Sequence, residues 1–380
     1  MYTPYEQYCV LQEARGQYRT LSAQNESNSA LIDFSSNDYL SLSHHPALLD
    51  AAYQAGLMFG VGATGSRLVS GNQSIFETLE CKIAHDKKTE SAIIFNSGFQ
   101  ANSTALASLL DARVLGKKPL VFFDRYNHSS LYQAVFLSQA EMIRFEHQDL
   151  AHLKTLLEKF RTTNRPYFIV SETIFGMDGD QVDLKTLVEL SKQYQAFLYL
   201  DEAHSTGIFG ASGYGLSTDY LLGDIPHVVM GTFSKALGCA GGYIACSASV
   251  KNYLMNKCPG FIYATAPSPM VMGAVDRAWD LVRTYGAQRK ELFEKADHLR
   301  SALKKKGFDC GDSTTHIIPI FIDEEDRTMQ AKQVLLNHGI LVSAIRPPTV
   351  PPKTSRLRIA LQINHTWEDI DRLIRVMESI

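Results

Sequence analysis

Nothing in this sequence builds a disulfide frame, a metal finger or a membrane anchor. Its six cysteines (Cys9, Cys81, Cys239, Cys246, Cys258, Cys310) are scattered through 380 residues without CxxC or other metal-ligand spacing. They read as free thiols of a reducing compartment, and no metal is expected. No apolar run approaches the length of a membrane span. The first residues show no basic stretch followed by an apolar one, so a cytoplasmic protein without a signal peptide is expected. An excess of one charge is missing too: 37 Lys and Arg stand against 40 Asp and Glu, net −3. This balance, with no basic run interleaved with aromatics, argues against a nucleic-acid surface, and no nucleic-acid partner is expected. Internal repeats and low-complexity segments are absent. What is present is apolar: 45% hydrophobic residues, enough for one large core and a smaller domain.

The pattern along the chain predicts three regions. Residues 1–45 read as a helix (Pro4 to about Tyr18), a polar link (Ser22 to Ser29) and a short strand from Leu31 to Phe34. Residues 46–270 read as a large domain in which apolar runs (Ala92–Phe95, Leu120–Phe123, Met142–Phe145, Tyr167–Val170, Phe197–Leu200, Val228–Met230, Tyr243–Ala245) alternate with amphipathic helices such as Leu150–Phe160 and Leu184–Tyr194. Runs that are continuously apolar imply a sheet covered on both faces, hence an α/β/α sandwich. Residues 271–380 read as a smaller α+β domain: a broken helical stretch to Lys306, strands near 317–322, 341–345 and 357–361, and a helix from Thr366.

Two motifs carry chemistry. In Gly231-Thr232-Phe233-Ser234-Lys235-Ala236-Leu237-Gly238 a lysine follows an apolar run among small and hydroxyl residues. Poor solvation favours a Schiff base with an aldehyde cofactor, although Gly-Ser-Lys loops also occur as ordinary turns. Asp201-Glu202-Ala203-His204 ends the run Phe197–Leu200, where parallel sheets place their ligands. A carboxylate there can keep a pyridine nitrogen protonated; the alternative is a helix N-cap aspartate beside a surface histidine. Together Lys235 and Asp201 point to pyridoxal 5′-phosphate.

Other motifs are weaker alone. Asn96-Ser97-Gly98-Phe99-Gln100-Ala101-Asn102 opens a helix whose N–H groups can bind a phosphate, or is a plain strand-to-helix turn. Thr232 could add a hydroxyl. His128, at a strand end, could stack on the ring or be structural. Gly176 and Gly179 relax a turn whose carboxylates, Asp178 and Asp180, can be turn formers. Arg356 and Arg358 fall on one face of a strand and suit a substrate carboxylate, or a salt-bridged edge strand.

In this order the motifs resemble the α-oxoamine synthase family of fold-type I pyridoxal-phosphate enzymes, from Asn37-Asp38-Tyr39-Leu40 and Gly65-Ser66-Arg67-Leu68-Val69-Ser70-Gly71 to Arg358. The resemblance implies that Lys235 holds the cofactor and Asp201 pairs with its ring nitrogen. His204 would bond its phenolic oxygen, and His128 would stack on the ring. Gly98, Phe99 and Thr232 would contact the phosphate side, with Gly176 nearby, where the family often has serine. Arg15, Asn37, His128, Arg346, Thr349 and Arg358 match positions near substrate, Arg358 at its carboxylate. Members are homodimers with the active site at the interface, and Thr265 matches the segment that reaches the neighbour's phosphate. Ala344-Ile345-Arg346-Pro347-Pro348-Thr349-Val350-Pro351 resembles members that join L-alanine to a pimeloyl thioester, on coenzyme A or acyl carrier protein, in making biotin. Sister enzymes using glycine or serine are the alternative. Lys353 stands where the family commonly has glycine.

Overall fold

The apolar runs from 91 to 246 form one seven-stranded sheet in the computed structural model, which describes residues 2–21, 31–223 and 225–380. The expected polar link at 22–29 lies outside the described residues. Numbered in chain order, the described strands are β1 (Ile32–Asp33), β2 (Ser91–Phe95), β3 (Leu120–Asp124), β4 (Glu141–Phe145), β5 (Tyr167–Glu172), β6 (Phe197–Asp201), β7 (His227–Thr232), β8 (Gly242–Cys246), β9 (Ile317–Asp323), β10 (Ile340–Leu341), β11 (Ser343–Ile345) and β12 (Ser355–Ala360). The large sheet has the order β2-β8-β7-β6-β5-β3-β4. Its strands pair in parallel except β8, which runs antiparallel to both β2 and β7. Every residue of β3 and β8 is buried, as a sheet covered on both faces requires.

The chain divides into two compact units, and the division differs from the linear one at 45 and 270. The larger unit is Asn37–Phe175 with Gln181–Arg289; the smaller is Met1–Ser36, Gly176–Asp180 and Lys290–Ile380. The helix Pro269–Val282, expected in the small domain, belongs to the larger unit. It buries Met272, Val275, Ala278, Trp279 and Val282 along one stripe. Its Gly273 meets the helix Pro46–Phe59 so closely that a Cβ would lie 2.5 Å from that of Ala55.

In the smaller unit β12 lies between β11 and β9, antiparallel to both, and all six of its residues are buried. It is therefore a central strand, not the edge strand allowed for by the sequence. β1 pairs in parallel with β10. The terminal helix Trp367–Met377 starts with a capping box between Thr366 and Asp369 and buries Ile370, Leu373 and Met377. The expected long helix breaks after Val282 and resumes as Gly286–Lys305. The segment Gly176–Asp180 joins this unit because Gly179 leaves no room for a side chain: its φ is +68° and a Cβ would stand 1.8 Å from the Ile317 carbonyl oxygen.

Candidate active site

The strand ends of the larger unit bring its own candidate residues together. β7 runs out at Thr232, and Lys235 follows in a tight loop closed by Gly238, whose φ of +64° and approach to the Ser43 backbone exclude a side chain. The Lys235 Nζ lies 2.7 Å from His204 Nε2, and His204 Nδ1 lies 2.7 Å from the Tyr39 hydroxyl. Tyr39 donates to Asn37 Oδ1 at 3.0 Å. Its oxygen therefore accepts from His204 Nδ1–H, which leaves Nε2 to accept from the lysine. Asn37, expected near substrate, thus anchors this chain from its far end.

Asp201 ends β6 and is buried; no helix follows it, so the N-cap alternative is not realised. Its Oδ1 accepts from the Ala203 N–H at 2.9 Å and its Oδ2 from Asn102 Nδ2 at 2.7 Å. Asn102 also meets Ser130 Oγ at 2.9 Å and accepts from the Tyr199 hydroxyl at 2.9 Å. His128 caps the helix Ser129–Ser138, accepting from the Ser130 N–H. It therefore has the structural duty the sequence allowed for, while its ring stays exposed on one side and meets Phe99 edge-on at 6.3 Å. The packed side, chiefly, holds its pKa below the ordinary imidazole value; the Lys235 charge adds to this and Asp201 opposes it. Glu172, beside Asp201 in the β5–β6 register, has its pKa pushed well up by burial first and by Asp201 next.

Gly98 opens a helical run that continues as a π-helical turn over Ala101–Leu106, an arrangement frequent at functional sites. The Thr232 hydroxyl donates to the Gly241 carbonyl at 2.8 Å and meets Ser234 Oγ at 2.9 Å. A Cβ on Gly242 would lie 2.8 Å from the Gly98 nitrogen, so glycine keeps this cradle open. Thr265, exposed, bridges to Ser66, and its carbonyl accepts from Asn96 Nδ2 at 2.8 Å. An amine, a buried carboxylate, an imidazole face and an open helix start are the donor set that pyridoxal phosphate needs, and the residues present fit it.

In the smaller unit Arg358 and Arg356 project from one face of β12, as alternation requires. Arg358 Nε donates to the Gly176 carbonyl, and Arg356 forms an ion pair with Asp178 and lies 4.2 Å from the Phe321 ring centre. Gly176 thus stands with Arg358, and Asp178 is an ion-pair partner as well as a turn former. Arg346 donates to the Gly16 carbonyl at 2.6 Å, and Arg19 donates to the Thr349 hydroxyl at 2.9 Å. Here Arg19, not Arg15, reaches the proline-rich segment; Arg15 ends the first helix and is exposed. Lys353, at φ +61°, holds a backbone conformation that favours glycine.

Sequence reasoning missed Tyr39, Asn102, Ser130, Tyr199 and Arg19. Asn102 stood inside a quoted motif, and its signal was a polar residue at a position that helical spacing makes interior. Tyr39 and Tyr199 also stood inside quoted segments, Asn37–Leu40 and Phe197–Leu200, without being singled out, while Ser130 and Arg19 were not singled out at all.

Residues 29–377 match the family described as Aminotransferase class I and II. A putative 8-amino-7-oxononanoate synthase of Paramagnetospirillum magneticum is 46% identical over 344 residues, covering 90% of this chain and 87% of that protein. An 8-amino-7-oxononanoate synthase of Gluconacetobacter diazotrophicus is 44% identical over 353 residues, covering 92% and 88%. A solved structure described as SPT with PLP superposes with a TM-score of 0.89 at 25% identity, covering 100% of this chain and 96% of that one. With a family match over nearly its whole length and relatives above 40% identity, the chain belongs to the aminotransferase class I and II family.

Proposed function

We propose that this chain is a pyridoxal-phosphate-dependent acyltransferase that condenses L-alanine with a pimeloyl thioester to give 8-amino-7-oxononanoate, CO2 and the free thiol, a step in biotin biosynthesis. The observation that carries the chemistry is the Lys235 amine set 2.7 Å from His204 Nε2, with Asp201 three residues before that histidine. The choice of substrates is supported by the similarity to relatives named 8-amino-7-oxononanoate synthase.

Pyridoxal phosphate, when bound, supplies the aldehyde that takes the amino acid's nitrogen and a ring that draws electrons from its Cα. Lys235 would hold the cofactor at rest, and its free amine would take the Cα proton. His204 accepts a hydrogen bond from that amine and aims it, itself held by Tyr39 and Asn37. Asp201, oriented by the N–H groups of Asn102 and Ala203, would accept the hydrogen bond of the protonated ring nitrogen and so keep it protonated. His128, whose pKa is held down chiefly by burial, would pack on the ring. Gly98, Phe99 and Thr232 receive the phosphate, with Gly176 on the cofactor side. Arg358 is assigned to the amino acid's carboxylate, and Arg15, Asn37, His128, Arg346 and Thr349 to the substrates.

A homodimer is part of the proposal, with Thr265 assigned to the phosphate of the second copy. Leu49, Tyr53 and Leu57 recur every fourth residue on an exposed helix face, and Val61, Leu68, Val69 and Tyr263 are exposed on the same unit. Exposed apolar side chains of that kind support the proposed interface. Six unpaired cysteines fit a cytoplasmic setting, and among the described residues no helix is long and apolar enough to cross a membrane.

The test offers the cofactor-loaded enzyme L-alanine, glycine and L-serine, each with pimeloyl-coenzyme A and with pimeloyl-acyl carrier protein, and weighs the products by mass spectrometry beside Lys235→Ala. Product from alanine, lost in the variant, supports the proposal. Faster product from glycine or serine assigns a sister synthase. Pyruvate from alanine without any thioester assigns an aminotransferase.

A further inference from the structure

We propose that Asn102 is a positioning residue that ties Asp201 and His128 into one hydrogen-bonded unit and fixes which nitrogen of His128 carries the proton. The roles of Asp201 and His128 toward the cofactor rest on the function proposed above; the bonding pattern stands on its own.

The orientation of the Asn102 amide follows from its neighbours. The Asp201 carboxylate can only accept, so the atom 2.7 Å from Oδ2 is the amide nitrogen. Tyr199 then donates its O–H to Asn102 Oδ1 at 2.9 Å. That phenol is buried and its pKa is raised well above the ordinary value, first by burial and next by Asp201, so it is a donor at any ordinary pH. The second amide hydrogen goes to Ser130 Oγ at 2.9 Å. Ser130, with its oxygen occupied as acceptor, turns its own hydrogen to His128 Nδ1 at 2.8 Å. The Ser130 backbone N–H faces the same nitrogen at 3.3 Å. His128 Nδ1 is thus an acceptor twice over, and the imidazole proton sits on Nε2.

Asn102, Ser130, Tyr199 and Asp201 are all buried, so each unmade bond in this set is costly. The fold spends a π-helical turn on the arrangement. Asn102 lies in Ala101–Leu106, and removing the extra residue of such a turn would rotate it by about 100°. Three elements meet here: β6 brings Tyr199 and Asp201, the helical run from Gly98 brings Asn102, and the helix Ser129–Ser138 brings Ser130. The charged and titratable groups facing His128 are Asp201 and Lys235, with the Glu172 carboxyl accepting from the His128 backbone N–H. One amide therefore sets both the aim of the carboxylate assigned to the ring nitrogen and the tautomer of the histidine assigned to the ring face.

The test needs no substrate. Nitrogen-15 NMR of histidine-labelled, cofactor-free protein reports the His128 tautomer, with His128→Gln identifying its signals. Cofactor affinity is measured separately by fluorescence titration. Wild type is expected to show the Nε2–H form near neutral pH. Asn102→Leu is expected to mix the tautomers and to weaken cofactor binding about 10- to 100-fold, the loss of a hydrogen bond to a charged group. Ser130→Ala removes the hydroxyl that links Asn102 to His128 and keeps the bond from Asn102 to Asp201, so it should mix the tautomers and leave affinity within about threefold. If Asn102→Leu does not fold, Ser130→Ala and Tyr199→Phe carry the test. A His128 signal unchanged in the folded variants, or Nδ1–H in wild type, overturns the proposal. Wild type that shows the Nε2–H form but binds no cofactor would overturn the proposed function and leave this bonding pattern intact.

Discussion

Lys87→Met should unsettle the larger unit far more than an ordinary buried substitution. Lys87 and Glu202 form an ion pair whose side chains are both 0% exposed. The ammonium also donates to the Tyr214 carbonyl at 2.8 Å and to Ser217 Oγ at 3.2 Å, while Glu202 Oε1 accepts from the Ser217 N–H at 2.7 Å. Glu202 sits between Asp201 and His204, and its carbonyl accepts from Ser205 and Thr206. Removing the cation leaves a buried carboxylate without a counter-charge, which costs about 3–5 kcal/mol. In a unit of this size that lowers the melting temperature by about 6–20 °C. Both variants lose the lysine's bonds to the Tyr214 carbonyl and Ser217 Oγ; removing both charges, as Lys87→Met with Glu202→Leu, replaces the unpaired carboxylate by an unbonded Ser217 N–H, a cost of about 1–3 kcal/mol. The double variant should therefore melt above the single one. Trp279 is the reporter, because it stacks on Tyr214 at 4.9 Å and donates to Asp86 at 2.7 Å beside Lys87. A single variant melting within about 2 °C of wild type, or a double variant melting below the single, would refute the reasoning.

Three further outcomes are expected. Burial holds His316 at a pKa of about 3, with Arg358 adding to the shift, and His365 at about 4. Both values lie below the unfolded value of about 6.5, so the unfolded chain takes up protons first on acidification. Stability of the smaller unit is then complete above about pH 6.5 and is lost toward pH 4, by roughly 3–5 kcal/mol per histidine. Trp367 fluorescence in a Trp279→Phe background reads this, and a melting temperature flat from pH 7 to 5 would contradict it. Gly179→Ala should cost more than about 4 kcal/mol, since the new Cβ meets the Ile317 carbonyl at a positive φ; soluble protein with an unchanged melt would contradict that. Lys353→Gly should gain about 1 kcal/mol by relieving the φ of +61°, read as a melting temperature about 2–4 °C higher.

The strand positions were legible because seven runs, apolar without alternation except for Arg144 in β4, leave a covered sheet as the natural reading. Their ends fell within a residue or two of those observed, as at Leu120–Asp124 and Tyr167–Glu172. The antiparallel direction of β8 was not legible, since direction depends on the connection and not on the strand's own residues. Lys235, Asp201 and His204 announced themselves by local context. Tyr39 and Asn102 did not, because their roles come from partners 165 and 99 residues away. The pairing of Arg356 with Asp178 across 178 residues was hidden for the same reason. Arg15 and Arg19 are four residues apart in an unpatterned stretch; the first helix ends at Ala14, and it is Arg19, beyond that end, that reaches Thr349.

The central claim is that Lys235 bears the cofactor, and borohydride reduction of the loaded enzyme followed by peptide mass spectrometry tests it most directly. The account predicts one phosphopyridoxyl group per chain, on the peptide containing Lys235, with none retained by Lys235→Ala. The label on another lysine, or no label in cofactor-saturated wild type, would contradict it.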